Sequence, residues 1–363
     1  MATKQIRGLF LNCIKAQDSI YESGRMVFQC LQDSERYSLD YFEITGDTLE
    51  IPGGYDLYLF NYHIVTMSWL DTSTLRKLFS GITMTIVLEV SPNDPFVFCS
   101  PEDFDAYIVL DPTLDITQQT AFTFPRPLES FDALTAYEEK EVPWIGSFGF
   151  ATAGKGFDHL IDAVNKEFDS AVVRINIPFA SYTDESHDYA KYLGLMCKVR
   201  AKKGIEVIVT HDYMSKRQLV EWCGQNTINC FLYDRNMPGL AATTDQAISS
   251  GRPLLISQND TFRHIIEFIK PYPRQSLKDA IENTGEVVKN IQREWSPARF
   301  REKFEAVLLS FRFDKIAVDT GKARPIKLPL KKIRDPLTLK NLRYNLALKK
   351  RIRNLVKGSG LSR

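Results

Sequence analysis

The feature that most constrains the fold of this chain is a repeated alternation of apolar runs and amphipathic segments. Runs such as IRGLFLNC at 6–13 and AVVRINI at 171–177 are almost continuously apolar, which is typical of strands buried on both faces of a sheet. Segments such as FDHLIDAVNKEF at 157–168 repeat apolar residues every three or four positions, as an amphipathic helix does. Strands that alternate with helices predict parallel sheets with helices on both faces.

The alternation runs through the chain twice. In the first half it predicts strands at 6–13, 37–44, 55–63, 84–90 and 106–112, and helices at 19–34 and 69–79. In the second half it predicts strands at 144–150, 171–177, 205–212, 228–234 and 253–257, and helices at 157–168, 188–204, 215–226 and 243–250. We therefore predict an α/β fold with two doubly wound, Rossmann-like domains. Ligands of such sheets bind at the carboxyl ends of the strands, so we expect the domains to face a cleft.

A polar stretch with flanking prolines separates the two halves, and the length suits two domains of roughly 150 residues. The predicted organisation is an N-terminal Rossmann-like domain at 1–130, a linker at 131–143, a second domain at 144–294, a crossing helix at 295–320 and a basic tail at 321–363.

The charge distribution sets the tail apart from the rest of the chain. From Gly321 onward there are 14 Lys or Arg and one acidic residue, a net charge of +13, whereas the whole chain carries +1 and the remainder therefore −12. We expect an extended conformation at 321–336, where prolines recur, and a helix at 337–356. Four roles remain open for the tail: contact with an anionic membrane surface, nucleic-acid binding, docking on the acidic body, and a solvated tail without a partner.

Composition excludes several classes of protein. The six cysteines form no C-x-x-C pair, which predicts reduced core thiols and no metal site. No apolar run approaches the roughly 18 residues that span a membrane, and the N-terminus lacks a signal-peptide pattern. The expected location is the cytoplasm, with a peripheral position at a membrane as an alternative because of the tail.

The stretch WIGSFGFATAGKGFDHLIDA at 144–163 is the first candidate site. Gly149, Gly154 and Gly156 surround Lys155 between a predicted strand and a predicted helix. Glycines let a backbone approach an anion closely, and a helix N-terminus adds partial positive charge. The alternative is a tight turn with a solvated lysine, since the stretch is neither a Walker A loop nor a G-x-G-x-x-G fingerprint.

A second stretch, INCFLYDRNMPGLAATTDQAISSGRPLLIS at 228–257, repeats the strand, glycine loop and helix pattern. Together the two stretches resemble the C-terminal domain of GT-B-fold glycosyltransferases, in particular the retaining family 4-like group. The resemblance covers most of 140–312, including WSPARFREKFEAVL at 295–308, which resembles that family's terminal helix. The N-terminal half matches in layout, and YDLYLFNYH resembles the family's strand that ends in histidine.

The sequence departs from the family pattern at several positions. In the family, two glutamates eight residues apart precede A-x-x-x-G-x-P, but here Pro238 and Gln246 stand in their places. The family's diphosphate-binding arginine falls on Phe150, so only Lys155 remains in that loop. Arg235 is the candidate to supply the missing guanidinium, with Arg263 as a weaker one. The alternative for Arg235 is a surface salt bridge.

The resemblance implies a set of site residues. The implied catalytic residues are His63, Lys155 and Arg235; the donor-binding residues are Gly149, Gly154, Lys155, Gly156, Arg235, Asn236, Gly239, Thr243, Thr244 and Gln246; and the acceptor-side residues are Glu22, Ser23, Gly24 and His63. For His63 a hydrogen-bonded structural histidine is the alternative. For Glu22, Ser23 and Gly24, expected where the first strand leads into the first helix, the alternative is an ordinary helix start.

The implied activity is transfer of a sugar from a nucleotide-diphosphate sugar to a glycan, lipid-linked or other acceptor, by a retaining enzyme that needs no metal and no cofactor. Three other readings stay open at this point. The first is a catalytically inactive binding protein with this fold. The second is another enzyme on the fold, such as a nucleotide-sugar epimerase, and the third is a protein that binds nucleic acid through its tail. The acidic body makes nucleic acid the less favoured partner.

Overall fold

The computed structural model describes residues 5–14, 19–64, 66–88, 99–116, 118–132, 134–179, 186–235, 239–313 and 324–331. In the N-terminal half the strands are β1 (Ile6–Cys13), β2 (Tyr37–Ile44), β3 (Glu50–Ile51), β4 (Leu57–Phe60), β5 (Ile82–Val87), β6 (Ala106–Val109) and β7 (Ala121–Thr123). The helices of this half are α1 (Ser19–Cys30) and α2 (Leu75–Leu78), the second preceded by a 3-10 turn at Thr72–Thr74.

The described strands of this half form a parallel sheet in the order β2-β1-β4-β5-β6-β7, which β3 does not join. The strand order reverses between β1 and β4, so the crevice of this sheet lies at the carboxyl ends of these two strands. Asn12 in β1 and Asn61 and His63 after β4 lie at that end.

The second half has the strands β8 (Trp144–Phe148), β9 (Ala171–Asn176), β10 (Ile205–Thr210), β11 (Ile228–Phe231) and β12 (Leu254–Ile256). Its helices are α3 (Phe157–Glu167), α4 (Asp188–Arg200), α5 (Lys216–Gly224), α6 (Thr243–Ser249), α7 (Arg263–Ile266), α8 (Leu277–Asn283) and α9 (Gly285–Glu294), with a 3-10 turn at Asp260–Phe262. The strands are parallel in the order β10-β9-β8-β11-β12, and the order reverses between β8 and β11.

Each sheet is covered on both faces by buried apolar side chains, as its near-continuous apolar strands predict. The six cysteines are all buried thiols, which confirms the core-thiol prediction. The bounds of β1 and β2 agree with the sequence prediction, but β4 and β11 are each shorter than predicted because the chain leaves the sheet after Phe60 and Phe231. The helix predicted at 69–79 is reduced to the 3-10 turn and the single turn of α2.

The last described helix, α10 (Pro297–Leu308), returns the chain to the first sheet. Ser296 caps it, with Oγ accepting from Arg299 N at 3.4 Å. Phe300 and Phe304 are buried in the same cluster as side chains of α1 and β1, and the Phe304 ring lies edge-on to Tyr37 at 5.5 Å. Helix α10 is therefore part of the core of the N-terminal half.

Part of the predicted tail is also packed on the first half. Residues 324–331 include β13 (Ile326–Lys327), which pairs antiparallel with β3, and Leu328 is buried with its N–H donating to Leu49 O at 2.8 Å. This agrees with docking on the body for this segment. The helix predicted at 337–356 lies outside the described residues.

We expect Phe304→Ala to lower the free energy of unfolding by about 3–5 kcal/mol, because the substitution leaves a cavity in the N-terminal core. Leu309→Ala is the matched control: Leu309 directly follows α10 but is 67% exposed, so its change should stay within about 0.5 kcal/mol. Denaturant unfolding measures both. Equal small losses would show that α10 is not integral to that core.

Candidate functional site

The two candidate stretches meet at the reversal point of the second sheet. The glycine loop follows β8, the segment Tyr233–Arg235 follows β11, and Asp234 N donates to Gly154 O at 3.2 Å. Gly154 has a φ of +75°, and a Cβ on it would lie 2.6 Å from Arg235 Cβ. Glycine is therefore required here both by backbone conformation and by the closeness of Arg235.

Lys155 does not extend into solvent, as a solvated turn lysine would. Its residue is 8% exposed, Nζ donates to the Tyr233 hydroxyl at 3.0 Å, and Nζ lies 4.4 Å from the centroid of that ring. Burial lowers the pKa of Lys155, Tyr233 opposes this, and the positive charge of Arg235 lowers the pKa further. The ammonium is thus desolvated and stabilised mainly by one aromatic side chain.

Arg235 brings a second cation to the same ring. Its Cζ lies 5.1 Å from the Tyr233 centroid, and its buried Nε has no hydrogen-bond partner among the described residues. The neighbouring Asp234 lies near His159, with a carboxylate oxygen 3.9 Å from Nε2. In the described part of the chain no carboxylate forms an ion pair with Lys155 or Arg235. The arrangement is therefore a locally unbalanced positive charge, and it does not contain the surface salt bridge that was the alternative for Arg235.

Several polar contacts hold this loop. Ser257 Oγ donates to Tyr233 O at 2.6 Å, and Asn259 Nδ2 donates to Arg235 O at 2.7 Å. The Tyr233 hydroxyl and Thr243 Oγ1 lie 2.9 Å apart. Sequence reasoning missed Tyr233 and Asn259, although Tyr233 precedes the polar pair Asp234 and Arg235 that it did single out.

The other glycines of the first loop allow close packing around the cluster. A Cβ on Gly149 would stand 3.1 Å from Lys155 Nζ, so glycine lets the lysine side chain pack against the loop backbone. Gly156 precedes the first residue of α3, and a Cβ on it would lie 1.8 Å from Leu232 O. The start of α3 adds partial positive charge to this region.

The remaining predicted donor residues are placed differently from one another. Thr243 joins the cluster through Tyr233, whereas Thr244 is fully buried and its hydroxyl donates to Ala241 O at 2.8 Å. Gly239 O accepts from Thr261 Oγ1 at 2.7 Å, and Gln246 is half-buried on α6. Asn236, like Pro238, lies outside the described residues. The donor-binding role of these residues stays a prediction.

The predicted acceptor-side residues lie at the first sheet. Glu22, Ser23 and Gly24 are inside α1 and not in a loop before it. A Cβ on Gly24 would lie 2.3 Å from Asn61 Nδ2, so this glycine serves close packing of α1 on the strand ends. His63 is 4% exposed and its carbonyl accepts from Met67 N at 2.8 Å. Their roles stay predictions.

Arg263, the weaker candidate for a diphosphate contact, is already paired. Its Nε donates to Asp111 Oδ2 at 2.8 Å and its Nη1 to Asp260 O at 2.9 Å. Asp111 is fully buried after β6, so this arginine joins the two domains. These contacts give Arg263 a structural role, and its contact with a diphosphate stays a prediction.

No group of three or more His, Cys, Asp or Glu among the described residues is placed to hold a metal ion. No helix in that part of the chain is long and apolar enough to cross a membrane.

The sequence matches no known family pattern and no curated protein. Solved structures are nevertheless similar in fold. HepE from Anabaena, in complex with UDP and glucose, is 11% identical with a TM-score of 0.53, over 85% of this chain and 100% of that chain. An E. coli trehalose-6-phosphate protein bound with UDP-2-fluoro glucose is 10% identical with a TM-score of 0.57, over 84% and 99%. A glycosyltransferase from Rickettsia africae is 10% identical with a TM-score of 0.56, over 86% and 99%.

The likeness extends over both sheets, so the chain has the GT-B fold, two Rossmann-like domains that face a cleft. This confirms the predicted fold class. At such low identity the likeness establishes the fold alone. The family 4-like grouping and the altered two-glutamate motif stay predictions.

We expect Gly154→Ala to destabilise the protein by more than about 1 kcal/mol, since Ala is strained at positive φ and its Cβ would collide with Arg235. Gly224→Ala is the control, because Gly224 ends α5 with nothing within 4 Å of an added Cβ. That change should leave stability equal or raise it by up to about 1 kcal/mol. Unfolding free energies that do not differ between the two variants would refute the close packing of the loops.

Proposed function

We propose that the chain is a glycosyltransferase that takes its sugar from a nucleotide-diphosphate sugar. The observation that carries this proposal is the pair of cations around Tyr233. Lys155 is 8% exposed, Arg235 has a buried Nε without a hydrogen-bond partner among the described residues, and no described carboxylate pairs with either. Buried charge without a counter-ion is costly. A diphosphate supplies the missing negative charge and several acceptor oxygens.

The location of the cluster favours a bound nucleotide. It lies at the reversal point of a parallel sheet and at the start of α3, where such sheets bind phosphates. HepE, which has the same fold, is in complex with UDP and glucose. The E. coli protein with this fold is bound with UDP-2-fluoro glucose. These complexes support UDP as the first nucleotide to test on this chain.

In the proposed reaction the bond between the sugar and the diphosphate breaks and the acceptor hydroxyl forms a new bond to the sugar. Negative charge grows on the leaving diphosphate, and Lys155 and Arg235 stabilise it. We propose a retaining, metal-independent, hexosyl-type transfer without a separate base: the acceptor attacks on the leaving-group face and its proton passes to the departing phosphate oxygen. His63 and the start of α1 lie on the acceptor side in this proposal.

The acceptor is proposed to be a glycan or a lipid-linked sugar. The basic residues of 321–363 suit an anionic membrane surface, and a lipid-linked acceptor would make such contact useful. We also propose a cytoplasmic location, because six buried cysteine thiols suit a reducing compartment. Nucleic acid is the less favoured partner because the rest of the chain carries −12.

A second candidate is a GT-B protein that binds a nucleotide sugar without turning it over. The observation in its favour is the sequence at 238–246, where a proline and a glutamine replace the two glutamates of the resembled family. Tight binding of a nucleotide sugar, with no release of nucleotide diphosphate in the presence of varied acceptors, would select this candidate.

We expect one nucleotide diphosphate among UDP, GDP, ADP and CDP to bind, and Lys155→Ala to weaken that binding by about tenfold or more, because one charge-assisted phosphate contact is lost. The control is Lys166→Ala, which removes an exposed lysine near the end of α3, the helix that follows the Lys155 loop. Calorimetric titration measures both. Absence of binding for all four nucleotides would leave the fold unchanged and rule out the transferase proposal.

The affinity for the diphosphate should fall in alkaline solution. Burial lowers the pKa of Lys155, so the free protein loses this ammonium below the ordinary pKa of lysine, and only the charged form attracts the anion. The dissociation constant should therefore already rise at pH values below about 10, the ordinary pKa range of lysine. Lys155→Arg keeps its charge over this range, so its profile should be flatter. Parallel profiles for the two proteins would contradict a role for the Lys155 charge.

A further inference from the structure

The chain crosses between the domains twice, and the two crossings touch. Leu128 N, on the way to the second domain, donates to Trp295 O, on the way back, at 2.9 Å. Leu128 and Trp295 are both buried in a core cluster of the second sheet. Two arginine–aspartate pairs also link the two halves of the chain. One joins Asp111 to Arg263, and the other joins Arg126, close to Leu128 in the chain, to Asp245.

The first pair is Asp111 with Arg263. Asp111 follows β6 of the first sheet and is fully buried, and Arg263 has a side chain 13% exposed. One carboxylate oxygen accepts from the guanidinium, and the other accepts from Thr113 N at 3.0 Å and Thr113 Oγ1 at 2.7 Å. Thr113 of the first half thus fixes the Asp111 carboxylate, and this carboxylate binds Arg263 of the second half.

The second pair is Arg126 with Asp245 on α6. Nε lies 3.0 Å from one carboxylate oxygen, Nη2 lies 3.3 Å from the other, and both side chains are 10% exposed. Nη2 also donates to Ala241 O at 3.0 Å. Burial raises the pKa of Asp245 to about 6, and the charge of Arg126 opposes that rise.

Both pairs lead to the chain segment that carries the cation cluster. Arg126 binds Ala241 and α6, whose Thr243 contacts Tyr233. Arg263 ends the 3-10 turn at Asp260–Phe262, and that turn is preceded by Asn259, which donates to Arg235 O. Ala241 and Asp245 each lie two residues from Thr243, and Asp260, whose carbonyl accepts from Arg263, directly follows Asn259.

We infer that Asp111 and Arg126 are positioning residues through which the N-terminal half sets the geometry of the diphosphate-binding loop. This rests on the proposed function. Neither residue contacts the cluster itself. Each fixes a neighbour of the loop, so the relative orientation of the domains and the placement of Tyr233 and Arg235 are coupled.

The test uses the full chain and two neutral double variants, Asp111→Asn with Arg263→Gln and Arg126→Gln with Asp245→Asn. Replacing both partners avoids leaving one buried charge alone. The control is Asp162→Asn with Arg200→Gln, a bidentate pair that links α3 and α4 within one domain and is 46% and 42% exposed. Calorimetry with UDP and with inorganic pyrophosphate is carried out well below each melting temperature.

We expect both interdomain variants to bind UDP and pyrophosphate at least about fivefold more weakly than the wild type, and the control to stay within about twofold. Arg263→Lys, which keeps the charge and loses the bidentate geometry, should recover part of the affinity and serves as the test if the double variant does not fold. A merely structural role would lower the melting temperature without changing these dissociation constants.

Two results would overturn the inference and are distinguishable. If the wild type and both interdomain variants bind UDP equally well, the coupling is absent and the proposed function stands. If the wild type binds neither pyrophosphate nor any of UDP, GDP, ADP and CDP, the proposed function fails and the inference fails with it.

Discussion

The desolvated ammonium of Lys155 is the interaction on which the site depends. It is held against Tyr233 with a second cation, Arg235, at the same ring and no described carboxylate to balance them. A lysine is rarely buried in this way, because only a partner of opposite charge compensates for the loss of its hydration. This imbalance is the reason why we propose a ligand with concentrated negative charge, and the loop glycines allow the close packing of the cluster.

The fold explains why these residues meet. A parallel sheet whose order reverses between β8 and β11 brings the loops after these two strands together at one edge. The first loop supplies Lys155 and the second supplies Tyr233 and Arg235. The N-terminal half contacts Ala241 of the second loop through Arg126, and it contacts Arg263 of α7 through Asp111. We infer that it positions the site through these two contacts.

The apolar pattern of the sequence predicted most of the strands and helices. A strand buried on both faces is a continuous apolar run, and a helix buried on one face repeats apolar residues every three or four positions. The loop of Lys155 was also predictable, since its glycines stand between a strand and a helix. Tyr233 and the Asp111 partner of Arg263 were not, because these contacts join residues 78 and 152 positions apart. The docking of Leu328 beside Leu49 was likewise set by tertiary packing that local sequence does not encode.

The most direct test of the central claim is a crystal structure of the full chain with UDP. The account predicts phosphate oxygens within about 2.7–3.2 Å of both Lys155 Nζ and the Arg235 guanidinium. Lys155 Nζ then either leaves the Tyr233 hydroxyl or donates to both the hydroxyl and the phosphate. A nucleotide bound elsewhere, with the contact of Lys155 and Tyr233 at its present 3.0 Å and no phosphate beside either cation, would contradict it.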